Sequence, residues 1–261
     1  MDLSTAILLG VVQGITEFLP ISSSGHLLLL DQLLEGKSLP LAMNIALHLG
    51  TLLAVSLYFF SDWWGMLKAL LAKFRHKAPS FEADSLFPAL VLGSIPAGIL
   101  GILFDKQIET LFHHPHRVAI PLILVGILMW LVDRQSPSRK ALGTLTLRDG
   151  ICIGLAQCCA LIPGVSRSGS TLTAGRYLGF SRESAARFSF LLGTPPMVGA
   201  VVLHIKGVGQ ALSDLNFLVG VITSFLVGLA SIHFLLAMLK RYSLFPFMIY
   251  RVVLGCTILL F

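Results

Sequence analysis

The chain has 261 residues, of which 55% are hydrophobic and 12% charged, where a soluble domain carries about 25% charged residues. That balance excludes an ordinary soluble domain, and the unbroken apolar runs favour membrane helices over a barrel. The net charge of +6 rests on lysines and arginines that fall between apolar runs, not along one face, which is a mark of membrane topology and not of nucleic-acid binding. The four cysteines (Cys152, Cys158, Cys159, Cys256) have neither metal-ligand nor disulfide-framework spacing and read as small packing residues. No cleavable signal peptide is expected, because the first apolar run begins at Leu3 with no basic flank before it.

Residues 3–16 are apolar enough for a membrane helix but too short to span, since about 20 residues are needed. That run stops at Glu17 and Pro20, and after Gly25-His26 a second short apolar piece, Leu27 to Leu30, leads to Asp31 and Glu35. Two short pieces around a polar break predict a re-entrant hairpin, whose non-helical backbone must be buried in protein or line a cavity. Spans are predicted at Leu41–Ser61, Phe87–Phe104, with Gly93, Pro96, Gly98 and Gly101 for close packing, and Val118–Val132. Residues 62–86 read as a basic loop, 105–117 as a wet loop with three histidines, and 134–148 as a loop with Arg134, Arg139, Lys140 and Arg148. A second broken segment follows: Gly150–Val165 is apolar, breaks at Pro163-Gly164 and runs into Ser166-Arg167-Ser168-Gly169. The last predicted spans are Phe188–Ile205, kinked at Pro195-Pro196, Leu215–Leu239 and Phe245–Phe261.

The two broken segments match each other. QGITEFLPISSSGH (Gln13 to His26) and QCCALIPGVSRSGST (Gln157 to Thr171) both carry Gln, then Pro, then Ser-x-Ser-Gly. Gln13 and Gln157 stand 144 residues apart, as do Ser22 and Ser166, Ser24 and Ser168, and Gly25 and Gly169; only Pro20 and Pro163 slip by one. Several matches at one offset indicate an internal duplication. The repeats are predicted at 1–133 and 148–261, joined by a cytoplasmic linker at 134–147 within one membrane domain. Placing 62–86, 134–148, 174–187 and 240–241 in the cytoplasm puts thirteen of the nineteen basic residues inside. Each broken segment then enters and leaves on one side, the first from outside and the second from inside. The expected fold is all-α and polytopic: six full transmembrane helices plus two broken re-entrant hairpins in an inverted-topology repeat, with both termini outward. The binding site of such a plan lies where the broken segments meet.

That meeting gathers a particular chemistry. Arg167 presents a planar fork suited to phosphate, and a lone arginine in lipid requires an anion or a function. Ser22, Ser23, Ser24, Ser166, Ser168, Ser170 and Thr171 supply hydroxyls, while Gly25 and Gly169 let backbone N–H groups approach a ligand. Helix starts after each break add positive dipole ends. Glu17 and His26 add acid-base capacity, and Glu17 suits a hard cation such as Mg²⁺ or Ca²⁺, with Gln13 one helical turn earlier as a possible companion. Plainer readings stand beside these: serines as helix caps, Glu17 and Arg167 as a structural ion pair, His26 as a cap, His48 and His233 as packed histidines, Arg251 as a snorkelling or paired cation, and Asn44 as a lining residue.

TEFLPISSSGH and PGVSRSGST resemble the two signature regions of the undecaprenyl-diphosphate phosphatase family, also called bacitracin-resistance proteins, and the resemblance extends over essentially the whole chain. It implies hydrolysis of undecaprenyl diphosphate to undecaprenyl phosphate, which recycles the lipid carrier for peptidoglycan. It also implies a divalent cation, and a multi-pass protein of the bacterial inner membrane whose site opens to the periplasm. The match places Glu17, Ser22, Ser23, His26, Ser166, Arg167 and Thr171 on the family's functional positions. Gln13 stands where many relatives have a first glutamate, so a two-carboxylate metal site is not expected. The expected partners are a polyprenyl diphosphate and membrane lipid, with no nucleic acid; a homodimer is left open. On this reading Arg167 holds the transferred phosphate, and Ser23 attacks it with Glu17 and His26 as an acid-base pair; the rival is direct attack by water. A lipid-carrier flippase or secondary transporter built on the same repeats is the reading from a different class.

Overall fold

The computed structural model describes residues 2–33, 41–74, 81–111 and 115–260. Among them it is helical, and the sole pairing of extended backbone is an isolated bridge between Lys140 and Phe180. Helix α1 spans Leu3–Thr16 and starts where the Asp2 carboxylate accepts from the Thr5 N–H. It ends at Glu17, three residues short of a proline, which lacks the N–H to continue a helix. Helix α2 (Ser23–Leu33) follows the break, and α3 (Leu41–Tyr58) comes next. Then follow α4 (Phe60–Phe74), α5 (Phe81–Leu111) and α6 (Pro115–Gln135).

The second half begins with α7 (Leu147–Cys158), started by a capping box between Thr146 and Asp149. A 3-10 turn, Cys159–Leu161, carries the chain into its second break. Helices α8 (Arg167–Tyr177), α9 (Arg182–Leu203), α10 (Ile205–Leu212), α11 (Leu215–Leu239) and α12 (Phe245–Leu260) complete the chain.

The two breaks have the same backbone. Ser22 and Ser166 are the non-glycine residues with positive φ among those described, at 75° and 74°, in a region that side chains with a Cβ seldom adopt. Each serine then caps the helix it precedes: the Gly25 N–H donates to Ser22 Oγ at 3.4 Å and the Gly169 N–H to Ser166 Oγ at 3.1 Å. Gly164, at φ +93°, sits where an added Cβ would lie 2.3 Å from the Val118 carbonyl oxygen, so that turn admits no other residue.

Packing repeats the pattern. The short arm α1 lies against α11 of the other half, and α7 lies against α5; α3 packs on α11, α9 on α5, and α6 crosses α12. Glycines bring these helices together. A Cβ at Gly10 would lie 2.3 Å from the Gly220 oxygen, and one at Gly154 would lie 2.1 Å from the Gly93 oxygen. Gly10 and Gly154 are again 144 residues apart. Much of the outer surface is apolar, with Leu57, Ile99, Ile102, Leu124, Leu226 and Val253 exposed, as lipid-facing residues are.

Four described helices are long and apolar enough to cross a bilayer: Ser85–Phe104, His116–Gln135, Arg182–Leu203 and Leu215–Leu239. Asn44–Tyr58 and Phe60–Lys73, bent by 68°, make a fifth if taken as one span. Helix α12 has 16 residues, below the roughly 20 a straight crossing needs.

Several expected boundaries move. The predicted loop 62–86 contains helix α4 and the start of α5, while residues 75–80 lie outside the described part. Helix α4 exposes Phe60, Trp64, Leu67 and Leu71 at helical spacing, an apolar stripe on its outer face. The loop 105–117 is also mostly helix: α5 runs on to Leu111 and α6 starts at Pro115, with His113 and His114 outside the described residues. Helix α10 occupies the interval between the predicted spans ending at Ile205 and starting at Leu215.

Two buried arginines organise the backbone. Arg176 donates to Asp133 Oδ1 at 2.8 Å, to Ser138 Oγ at 3.0 Å and to the carbonyls of Asp133, Ser136 and Phe180. Arg182 donates to the same carboxylate at 2.8 Å. Arg251 of α12, which the sequence left as snorkelling or paired, is fully buried. It donates to Pro20 O in the first break (3.0 Å), to Gly164 O and Val165 O in the second (2.9 and 3.1 Å), and to Leu122 O of α6 (2.9 Å).

Gly154→Ala drives a methyl into the backbone of α5, and overpacking of this kind costs about 1–3 kcal/mol. It is expected to lower the melting temperature of the purified protein in detergent, whereas Gly98→Ala, which meets nothing within 4 Å, leaves it unchanged.

Candidate active site

Glu17, just past the end of α1, is 8% exposed. Its Oε1 accepts from Arg167 Nη2 at 2.8 Å, and its Oε2 accepts from Ser23 Oγ at 3.0 Å and Gln13 Nε2 at 3.2 Å. Gln13 is one turn back on α1, Ser23 opens α2, and Arg167 opens α8. Both broken segments therefore converge on one carboxylate.

Arg167 is held from behind. Its Nη1 donates to Ser189 O at 3.1 Å, and its own carbonyl accepts from Thr171 Oγ1 at 2.8 Å. Thr171 Oγ1 lies 2.6 Å from Ser189 Oγ, so that α8 and α9 are tied beneath the guanidinium. The guanidinium lies across Gly193 of α9: a Cβ built there would stand 2.1 Å from Nη1. Glycine at 193 is thus a requirement for the position of Arg167.

These groups line a cavity of about 310 Å³ whose walls include Glu17, Ser23, Ser24, Ser166, Arg167, Gln157, Asn44 and His48, with Ala97, Met197 and Ala200 as apolar lining. A polar cluster beside an apolar wall suits a ligand with a charged head and a hydrocarbon tail. A larger cavity of about 490 Å³ lies around Asp62, Glu183 and Arg187; there Arg187 already pairs with Asp62 at 2.9 Å.

The remaining predicted residues divide. Ser22, Ser166, Ser168, Gly25 and Gly169 form the two caps: Ser22 Oγ lies 3.2 Å from Ser24 Oγ and Ser166 Oγ 3.1 Å from Ser168 Oγ, and Ser168 also donates to Leu19 O at 3.2 Å. Ser24, Ser166 and Gln157 reach the cavity wall. Thr171 is fully buried beneath Arg167 and supports it. His26 is placed elsewhere. Its Nδ1 bonds Ser22 O at 2.7 Å, its Nε2 bonds Tyr250 OH at 2.6 Å, and its ring stacks on Tyr250 with centroids 5.6 Å apart. It is not among the residues lining the cavity.

The histidine facing Glu17 is His48 of α3, which the sequence reading left as a packed residue. Its Nε2 lies 3.5 Å from Glu17 Oε2 and its Nδ1 bonds Asn44 O at 2.9 Å. Asn44 and His48 are four residues apart, one turn on a single helix face. That spacing of two polar residues on an otherwise apolar span was the signal available in the sequence. Among the described residues no three His, Cys, Asp or Glu side chains gather in the manner of a metal centre.

A sequence model of the bacitracin resistance protein BacA family matches residues 6–257. The chain belongs to that family. It is similar to the undecaprenyl-diphosphatase of Moorella thermoacetica, 43% identical over 99% of this chain and 97% of the relative. It is also similar to those of Pelotomaculum thermopropionicum (42%, over 99% and 96%) and Geotalea daltonii (43%, over 100% and 98%).

Gly193→Ala is expected to push the Arg167 guanidinium aside while leaving the backbone in place. Misplacement of a binding group by about 1 Å can cost ~100-fold in rate. Phosphate release from a prenyl diphosphate, the chemistry for which the relatives are named, measures it, with the melting temperature as the control for folding.

Proposed function

We propose that the chain is a membrane phosphatase that hydrolyses undecaprenyl diphosphate to undecaprenyl phosphate and inorganic phosphate, returning the carrier lipid to cell-wall synthesis and conferring bacitracin resistance. The observation that carries this reading is the 2.8 Å contact between Glu17 and Arg167, two charged groups from separate broken segments meeting in one cavity. A carboxylate alone gives a base and a guanidinium alone gives an anion site; together, beside a serine hydroxyl, they equip phosphoryl transfer.

The diphosphate enters with its polyprenyl tail along the apolar wall. Arg167 keeps its bond to Ser189 O through Nη1 while Nη2 exchanges the Glu17 oxygen for a phosphate oxygen. Glu17, relieved of the guanidinium, becomes the stronger base. Ser23 Oγ attacks the terminal phosphorus, its proton passing to Glu17 Oε2; the Oγ–P bond forms as the bridging P–O bond breaks, and polyprenyl phosphate leaves with the electron pair. That leaving group is stable as an anion, so this route needs no general acid. Water then attacks the phosphoserine, returning the proton to Ser23 Oγ and releasing phosphate. A divalent cation, magnesium or calcium, held through Glu17 supplies charge neutralisation for the diphosphate when bound.

The membrane plan we propose has six spans and two re-entrant hairpins entering from opposite faces, with repeats at 1–133 and 148–261 and the site open to the periplasm. The shared left-handed serines, the shared caps and the exchanged packing of α1 and α7 support it. The same plan serves transporters, so phosphate release in detergent, where there is no membrane to cross, separates the two classes.

Purified protein is expected to release phosphate from farnesyl diphosphate; no release with or without Mg²⁺ or Ca²⁺ would sink the proposal. Arg167→Ala abolishes turnover, and Arg167→Lys does not restore it fully, since a point charge lacks the fork that spans Ser189 O and a phosphate oxygen. Ser23→Ala is inactive if Ser23 is the nucleophile, and phosphoserine at 23 is trapped by acid quench; appreciable turnover by that variant assigns the attack to water activated by Glu17.

A further inference from the structure

Two amides in the cavity wall, Asn44 and Gln157, have buried atoms without partners among the described residues and no use in the chemistry above. Asn44 of α3 faces the cavity with a buried Oδ1 that has no hydrogen-bond partner among the described residues. A buried amide oxygen left unpaired costs about 1–3 kcal/mol, and in a cavity wall an ion, a ligand or a water can supply the partner. Asn44 is one turn from His48, which bonds the Asn44 carbonyl and approaches Glu17 Oε2 to 3.5 Å, so α3 presents Asn44 to the same cavity as that carboxylate. Gln13, outside the cavity wall, has its Nε2 committed to Glu17 and a buried Oε1 without a partner among the described residues.

We propose that Asn44 Oδ1 is a neutral oxygen ligand for a divalent cation of the calcium or magnesium class, acting beside Glu17, with diphosphate oxygens and water completing the shell. This rests on the phosphatase reading above and extends it to a residue outside both broken segments. The donor set is consistent with hard-cation chemistry: such ions take carboxylate and amide oxygens together, and affinity falls as ligand charge falls. With Gln13 in place of a second carboxylate, a single negative charge is too little to hold the ion alone. The diphosphate brings the missing charge, so cation and substrate bind together. The neutral oxygen of Asn44 fixes where the ion sits without adding charge that would compete with Arg167.

The test is direct binding and does not depend on turnover. Ca²⁺ is titrated calorimetrically into the purified protein in detergent, with and without farnesyl methylenediphosphonate, a diphosphate that cannot be hydrolysed at its bridge. Wild type is expected to bind Ca²⁺ measurably tighter with the analogue than without it. Asn44→Leu should lose about tenfold in Ca²⁺ affinity with the analogue present, and Asn44→Asp should bind Ca²⁺ more tightly than wild type, as added ligand charge does. Asn44→Asp also serves as the folded control, with its melting temperature measured alongside. Equal Ca²⁺ affinity in wild type and Asn44→Leu overturns the assignment. So does a loss of analogue affinity in Asn44→Leu that is the same in EDTA, which makes Asn44 a phosphate contact. Failure of the wild type to release phosphate from farnesyl diphosphate overturns the phosphatase reading itself, and that outcome is distinct from both.

Discussion

The whole arrangement depends on how the carbonyls freed at two broken helices are satisfied where water is scarce. A membrane helix can be interrupted only if the backbone groups released at the break find partners inside the protein. Here one side chain serves both interruptions. Arg251 gives donors to Pro20 O at the first break and to Gly164 O and Val165 O at the second, and anchors itself on Leu122 O. Among the described residues its partners are carbonyls, whose dipoles carry its charge. Because both breaks bond to the same guanidinium, the ends that carry Glu17 and Arg167 are fixed relative to one point, and their meeting does not depend on loop conformation.

The buried arginines have different tasks, and their surroundings separate them. Arg176 has a relative exposure of 1% and its donors are spent on Asp133, Ser138 and three carbonyls. With nothing left to give, it is a structural clasp where α6 meets the turn before α9. Arg167 is 17% exposed at its side chain, opens on a cavity, and has a backbone bond to Ser189 O, a long contact with Met197 Sδ and a charged partner, Glu17. A resting ion pair of this kind keeps both charges paired until a stronger anion arrives. In the mechanism proposed above, binding a diphosphate costs the ion pair but frees a carboxylate beside Ser23, so binding energy is converted into reactivity.

Much of this was legible in the sequence because duplication leaves a periodic trace. The matches at one offset located both breaks, and the break residues are the ones that meet at Glu17 and Arg167. What escaped has physical causes. Helices α4 and α10 are short and amphipathic, and their charged or glycine-interrupted runs look like loops when only unbroken apolar stretches count as spans. Asn44 and His48 were discounted because a polar residue on an apolar span is usually paired within its own packing; their spacing gives the face, but nothing in the letters says that this face meets Glu17. The Tyr250 partner of His26, 224 residues away in the chain, is likewise named by nothing in the letters.

The repeat also explains why the site needs only one copy of each chemical group. Under the 144-residue offset, Ser23 corresponds to Arg167, Glu17 to Leu161 and His26 to Ser170. The backbone is duplicated, with matching left-handed serines and matching caps, while the side chains at equivalent positions differ. The first residue of α2 and the first residue of α8 line one cavity and bond the same carboxylate. Had both been serine there would be no anion clamp, and had both been arginine two cations would repel with no nucleophile between them. Divergence at this position and at that of Glu17, which is bonded at once to Ser23 Oγ and Arg167 Nη2, makes the cradle asymmetric. In the mechanism proposed above the hydroxyl comes from one repeat and the guanidinium from the other, and the carboxylate lies between them, bonded to both.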